Sequence, residues 1–201
     1  MPIFPQTRVA RLVVAVTLTL SIALLAMLGW WLFGEGPAPG GIQLGGPFSL
    51  TDQSGQTRTD RDFLGQPMLV FFGYTNCPGP CPTALTNMTL ALNELGAAAD
   101  KVTPLFVTVD PARDTVAVMH DYIANFHPRF VALTGLEAEI RKLMRAYRVI
   151  GEPESGADSS GSYTVMHSTS IFLMDADGRY VTHVSNEAKP ADIAAAIKPY
   201  L

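Results

Sequence analysis

VFFGYTNCPGPCPTAL, residues 70–85, joins a continuous apolar run to a helix-like pattern and contains both cysteines of the 201-residue chain, Cys77 and Cys81. The apolar run begins after Pro67 and is typical of a strand that is buried on both faces. Apolar residues then recur at helical spacing and predict a helix that stops near Gly96. The cysteines are therefore predicted to lie between the carboxyl end of a strand and the N-terminus of a helix, where α/β sheets bind ligands.

Strand and helix patterns alternate through the rest of the chain. Upstream, residues 47–59 alternate in polarity around a Ser-Gly turn and predict a hairpin. Downstream, the patterns predict a strand, a helix that Asp114 caps, a short strand and an amphipathic helix, at residues 102–110, 114–126, 129–135 and 136–149. A polar loop, a hairpin around Asp177-Gly178 and a final helix follow at residues 151–162, 168–185 and 189–201. This order predicts an α/β fold, a thioredoxin-like sandwich with an added N-terminal β-hairpin.

An uncharged apolar stretch at residues 12–33 is long enough to cross a membrane as a helix. Arg8 and Arg11 precede it, and the positive-inside rule then places the N-terminus in the cytoplasm and the remainder outside. Trp30 and Trp31 are expected at the outer interface, where aromatic rings settle. We therefore predict a single-pass anchor in the inner membrane, with the C-terminal domain in the periplasm.

The chain divides into four predicted segments: a cytoplasmic N-terminus, a transmembrane anchor, a Gly/Pro linker and a folded domain, at residues 1–11, 12–33, 34–47 and 48–201. A cleaved signal peptide is the alternative to the anchor, because small residues follow the apolar stretch. The apolar region of a signal peptide is usually only about 7–15 residues long, which favours the anchor. The net charge of −4 gives no footprint for phosphate binding, so no nucleic acid partner is expected.

The spacing of Cys77 and Cys81 brings their sulfur atoms together. Four residues apart, both lie on one side of a helical turn and within the range of a disulfide. A helix N-terminus favours thiolate over thiol, so the pair is expected to be partly ionised near neutral pH. The two cysteines can close as a disulfide or share a metal ion. A purely stabilising disulfide is a further alternative, although a loop this short restricts the unfolded chain little.

Three motifs together resemble the Sco (SenC) family of membrane-anchored, thioredoxin-like copper-binding proteins. They are FFGYTNCPGPCP at residues 71–82, VTVDPARDT at residues 107–115 and YTVMHSTSIFLMDADG at residues 163–178. The resemblance extends from Phe48 to the C-terminus. Two positions depart from the pattern of many relatives: Asn76 stands where they carry a histidine, and Gly79 stands where an acidic residue is common.

The resemblance implies a copper site made of Cys77, Cys81 and His167, for Cu(I) and/or Cu(II), with Asp110 as an acidic residue close to the ligands. It implies delivery of copper to the binuclear copper centre of cytochrome c oxidase subunit II, reduction of the cysteines of that subunit, or both. Another copper chaperone and a thiol reductant are further candidate partners. Oxidation of the pair to a disulfide would remove both thiolates, so copper loading is expected to require reduced cysteines.

The chemistry of the donors agrees with copper but does not exclude zinc. Two thiolates and an imidazole suit copper in either oxidation state, and zinc accepts them as well. A structural zinc site usually has four protein ligands, however, and this chain has only two cysteines. Three protein ligands leave a position open for a ligand from a partner, as a copper donor requires.

The other histidines and Met166 are not expected to be ligands. His120 and His127 lie in or just after a predicted helix, and His183 alternates with valines on the last hairpin. Met166 precedes His167, and adjacent residues of a strand point to opposite faces.

A thiol-disulfide oxidoreductase is the competing functional class. Cys77 would be the attacking thiolate and Cys81 the resolving thiol. Such enzymes usually carry Cys-x-x-Cys, and residues 162–170 lack the proline that thioredoxin-like reductases place before the equivalent strand. A peroxidase is a weaker third possibility, because no activating arginine stands next to Cys77.

Overall fold

The computed structural model describes residues 7–33, 43–153, 165–167 and 170–201, with the backbone alone at residues 10, 11, 30–33, 152, 153 and 165–167. The chain divides into two compact units, Met1–Gly41 and Ile42–Leu201.

The N-terminal unit contains one long helix, α1 (Arg8–Phe33). Its stretch Leu12–Gly29 is long and apolar enough to cross a membrane, a property that a signal sequence shares. Large apolar side chains along this stretch, such as Leu18 and Leu24, are exposed. The helix is thus a candidate membrane span. The side chains of Trp30 and Trp31 and the linker residues 34–42 lie outside the described residues.

Nine strands are described in the C-terminal unit: β1 (Ser49–Asp52), β2 (Thr57–Thr59), β3 (Met68–Gly73), β4 (Thr103–Thr108), β5 (Val131–Thr134), β6 (Gly151–Pro153), β7 (Val165–His167), β8 (Ser170–Met174) and β9 (Tyr180–Ser185). Its helices are α2 (Pro80–Leu95), α3 (Val116–Ile123), α4 (Glu137–Ala146) and α5 (Pro190–Ile197). Three short 3₁₀ helices cover Asp60–Phe63, Gly96–Lys101 and Lys198–Tyr200.

Seven of these strands form one mixed sheet in the order β2-β1-β5-β4-β3-β8-β9, and β6 pairs with β7 separately. The central strands β3, β4 and β5 are parallel. The other pairs of the main sheet are antiparallel. In the middle of the sheet, Phe71 lies opposite Phe106 of β4 on one side and Ile171 of β8 on the other. All six residues of β3 are buried, as predicted for a strand covered on both faces.

Successive residues of β3 face two separate apolar cores, because side chains alternate between the faces of a strand. Leu69 and Phe71 pack with α2, α3 and α5 on one face. Val70 and Phe72 pack with α4 on the other face. The helices therefore cover both sides of the sheet, and both hairpin predictions are confirmed, by the pairing of β1 with β2 and of β8 with β9.

Two local predictions are wrong. Thr115 rather than Asp114 is the N-cap of α3, and its side chain accepts a hydrogen bond from the backbone N–H of Val118. Asp114 has turned inward to other partners. The predicted polar loop at residues 151–162 begins with a strand, β6, because its backbone pairs with β7; residues 154–162 lie outside the described part of the chain.

The hairpin turn is stabilised by Asp52, a buried carboxylate on β1. It accepts hydrogen bonds from the Ser54 hydroxyl, the Gln56 N–H and the Arg58 guanidinium. Burial alone would raise the pKa of Asp52, but these hydrogen bonds outweigh burial and lower the pKa from 3.8 to about 2. The folded state therefore favours the ionised form of this carboxyl group.

We expect Asp52→Asn to lower the free energy of unfolding at pH 7 by about 1–3 kcal/mol, because donors aimed at a buried carboxylate lose part of their partner. The folded-state pKa lies below the unfolded value, so this stabilisation is complete above the unfolded pKa and is lost as the pH falls through the folded one. The difference between wild type and variant should shrink between about pH 5 and pH 2. Denaturant titrations at several pH values measure it; a difference that is constant over this range would contradict the assignment.

Candidate metal centre

The cysteine-bearing turn starts where β3 ends. Cys77 lies in this turn, and its backbone N–H donates to the carbonyl of Tyr74 at 3.3 Å. Helix α2 then begins at Pro80, whose fixed φ and missing N–H suit a first helical position. Cys81 is thus in the first turn of α2, while Cys77 precedes the helix. The prediction that both cysteines share one helical turn is therefore wrong, although they remain neighbours.

Both cysteines are thiols rather than halves of a disulfide, and both are buried. The backbone N–H of Cys81 donates to the sulfur of Cys77 at 3.4 Å. This N–H is one of the groups at a helix N-terminus that has no acceptor within the helix. Because this N–H points at Sγ of Cys77, it stabilises negative charge on that sulfur. It therefore favours the thiolate form, which is the form that binds a metal ion.

The pKa of the Cys81 thiol is raised, first by its hydrogen bond with Cys77 and then by burial. The expectation of a partly ionised pair is therefore wrong for Cys81. A backbone hydrogen bond at Tyr74 acts in the opposite direction, but the neighbouring thiol and the apolar surroundings outweigh it. A metal ion would supply the positive charge that a thiolate at this position requires.

Gly73 brings the Cys81 thiol close to the backbone of β3. A Cβ atom at Gly73 would lie 2.9 Å from Cys81 Sγ and 2.9 Å from Cε2 of Phe106. Such distances are too short for any side chain, so only glycine lets the sulfur lie on the end of the strand. Sequence reasoning missed this role, whose one signal is a glycine that ends an otherwise bulky apolar run.

A buried carboxylate, Asp114, lies behind the turn. It accepts hydrogen bonds from the backbone N–H of Thr75 at 3.1 Å and from the Thr75 hydroxyl at 2.5 Å. The hydroxyl of Thr108, at the end of β4, donates at 2.6 Å to Oδ2, the oxygen that also accepts the Thr75 N–H. Asp114 therefore connects the cysteine-bearing turn to the neighbouring strand. From the sequence, the position of Asp114 just before a predicted helix indicates only a helix cap and not this connection.

Asp110 reaches the turn through an arginine. It is buried after β4, and its carboxylate forms an ion pair with Arg113. The Arg113 guanidinium lies over the ring of Tyr74, 5.7 Å from the ring centre. Because the carbonyl of Tyr74 accepts the N–H of Cys77, Asp110 contacts the cysteine-bearing turn by way of Arg113 and Tyr74.

The backbone places His167 towards the same edge of the sheet. Strand β8 runs antiparallel to β3, so the chain upstream of Ser170 leads towards the end of β3 that carries the cysteines. In β7, His167 pairs with Gly151, where a Cβ atom would lie 3.4 Å from that of Val109, just beyond β4. The side chain of His167 lies outside the described residues, so its role as a ligand stays a prediction, and the same holds for Met166.

The other three histidines have partners elsewhere. Nδ1 of His120 lies 3.1 Å from Asp121 on the exposed face of α3. His127 accepts the backbone N–H of Arg129, and burial lowers its pKa. His183 lies 2.6 Å from the hydroxyl of Tyr180 on β9. Within the described residues, no group of three or more His, Cys, Asp or Glu side chains is arranged to hold a metal ion.

The two thiols that the structure describes fit a soft metal ion. They are adjacent, shielded from water and supported by a backbone N–H, and thiolates select soft or borderline metals. An imidazole from the strand that ends at His167 would complete three protein ligands and leave one position open.

Comparison with known proteins identifies the family of the chain and agrees with its fold. The sequence model of the SCO1/SenC family matches residues 37–201. The chain belongs to the SCO1/SenC family. The SCO2-like protein of Rickettsia felis is 32% identical over 200 residues, which cover 96% of this chain and 98% of that protein. The human mitochondrial protein SCO1 homolog is 38% identical over 160 residues, 79% of this chain and 53% of the human protein.

A solved Sco structure shows the same fold. Bradyrhizobium japonicum ScoI with copper bound is 45% identical and superimposes with a TM-score of 0.73, covering 79% of this chain and 99% of that chain. The predicted thioredoxin-like α/β fold is thereby confirmed, and so is the Sco/SenC resemblance.

In this Sco-family chain, Gly73→Ala should lower the free energy of unfolding by about 1–3 kcal/mol, because the added methyl group is forced against Cys81 and Phe106. Gly46→Ala is the matched control, since its Cβ would meet Ala146 Cβ at an ordinary 3.7 Å. The control should change stability by less than about 0.5 kcal/mol. Denaturant titration of the reduced proteins measures both, and equal effects would contradict the close contact at Gly73.

Proposed function

We propose that this protein is a membrane-anchored copper carrier that binds copper through Cys77, Cys81 and His167. The observation that carries the proposal is the buried pair of adjacent thiols at the edge of the sheet towards which the chain before β8 leads, and His167 belongs to that part of the chain. Family membership and the 45% identity to a copper-bound ScoI support it.

Copper suits this donor set better than zinc does. A closed zinc site would need a fourth protein ligand, whereas copper is stable with two thiolates and an imidazole. The open fourth position accepts a ligand from a recipient protein, so copper can bind to that protein before it is released by the ligands of this chain. Both Cu(I) and Cu(II) are compatible with these ligands. Copper here is cargo, and the chain supplies ligands, shielding and orientation.

The recipient that the family implies is the binuclear copper centre of cytochrome c oxidase subunit II. Because a disulfide between Cys77 and Cys81 would remove both thiolates, loading requires the reduced pair. A thiol reductant and a copper chaperone upstream are therefore the partners that this function needs.

Location follows from the apolar helix. We infer a cytoplasmic segment at residues 1–11, an inner-membrane anchor at 12–33, a linker at 34–47 and a periplasmic domain at 48–201. The uncharged stretch of α1, preceded by Arg8, supports this orientation. The membrane is thus a partner through α1, and the domain is held close to a membrane-bound oxidase.

Copper retention tests the ligand set. The reduced full-length chain in detergent should keep about one copper per chain after removal of excess metal, as expected for a site with two thiolates and an imidazole. Cys77→Ser, Cys81→Ser and His167→Ala should each lose this copper, whereas the control His120→Ala should keep it. Metal analysis and the thiolate-to-Cu(II) absorption band provide the readouts.

Copper retained by any of the three ligand variants would overturn the ligand set. If the wild type retains no copper but still reduces a disulfide substrate, the competing oxidoreductase function takes its place.

A further inference from the structure

Asp114 is a buried charged group that the proposed ligand set leaves unused. Its side chain is fully buried, and the resemblance that assigns Asp110 gives it no role. A carboxylate in such surroundings is unfavourable unless hydrogen bonds compensate for its lost hydration. Burial accordingly raises the pKa of Asp114, while the hydrogen bonds from Thr108 and Thr75 act in the opposite direction.

Within the described residues, the hydrogen bonds of the carboxylate go to the two segments that meet at the candidate metal centre. Thr75 donates both its backbone N–H and its hydroxyl, and it stands two residues before Cys77. Thr108 donates from the last position of β4. One side chain therefore fixes the start of the cysteine-bearing turn to a central strand of the sheet.

Asp114 is itself held in place through its main chain. Its carbonyl accepts the hydroxyl of Thr134, the last residue of β5, at 2.7 Å. Its N–H donates to the carbonyl of Asp110 at 3.0 Å. Asp114 is thus anchored to β4 by its carboxylate and to β5 by its carbonyl, so the sheet fixes the position of the turn.

We propose that Asp114 is the positioning residue of the dithiol: by its hydrogen bonds to Thr75 and Thr108, it fixes the turn so that Cys77 and Cys81 can bind one metal ion together. Asp114 is not a metal ligand in this role, because it acts through Thr75 on the turn that carries Cys77. The expected effect on copper affinity rests on the proposed function. The fixation of the turn itself can be measured without metal.

Four variants of the full-length chain in detergent test the proposal. Asp114→Asn keeps the shape but places an amide NH₂ where a carboxylate oxygen accepts. Thr75→Val removes the hydroxyl donor, and Thr75→Ser restores it. Asp52→Asn is the control for the loss of a buried carboxylate. Asp52 lies at the hairpin turn, and its side chain bonds to Ser54, Gln56 and Arg58 rather than to the cysteine-bearing turn.

Copper affinity is measured by competition with a chromophoric Cu(I) chelator. Asp114→Asn and Thr75→Val should weaken binding by about 10–100-fold, the usual effect of losing a group that orients metal ligands. Thr75→Ser and Asp52→Asn should stay within about threefold of the wild type, since neither loses a contact to the turn. A loss of affinity in Asp52→Asn equal to that in Asp114→Asn would overturn the proposal, because general destabilisation would then explain both.

Hydrogen exchange of the metal-free protein gives the second readout. The Thr75 amide should exchange at least about tenfold faster in Asp114→Asn than in the wild type, because one of the two carboxylate oxygens that accept its N–H becomes an amide NH₂ group. Unchanged exchange overturns the proposal, and so does faster exchange with unchanged copper affinity. If the wild type itself binds no copper, the proposed function fails, while the exchange of Thr75 still decides whether Asp114 fixes the turn.

Discussion

Strand β3 is held between β4, which runs parallel to it, and β8, which runs antiparallel. A strand buried on both faces must pair its backbone polar groups on both edges, and these two neighbours meet that requirement. The parallel pair brings the ends of β3 and β4 to one edge of the sheet. The antiparallel pair leads the chain before β8 to the same edge. Three segments that are distant in sequence therefore converge where β3 gives way to the cysteine-bearing turn.

That edge combines apolar shielding with compensated polar groups. Gly73 lets the sulfur of Cys81 lie against the strand, and the N–H at the start of α2 points to the sulfur of Cys77. Asp114 is buried close by, but its oxygens accept hydrogen bonds from two threonines. A soft metal ion that arrives here meets donors that are already placed, so little reorganisation opposes binding.

The sequence predicts those parts of the fold that depend on local pattern. The apolar run of β3, the helical spacing after Cys81 and the Asp177-Gly178 hairpin are confirmed because periodicity and turn residues determine them locally. Partners distant in sequence determine the rest. One partner of Asp114, Thr75, is 39 residues away, and β6 forms in a polar segment because β7 pairs with it. The raised pKa of Cys81 arises first from its hydrogen bond with Cys77 and then from burial, neither of which a helix-dipole argument includes.

We propose that two sulfur atoms and one imidazole of a single chain coordinate copper. X-ray absorption spectroscopy of the reduced full-length chain, loaded with one equivalent of Cu(I), counts these ligands. We expect two sulfur scatterers and one histidine nitrogen around each copper, with the nitrogen contribution lost in His167→Ala. A shell of nitrogen and oxygen alone, or a copper–copper distance that shows clusters between chains, would contradict it.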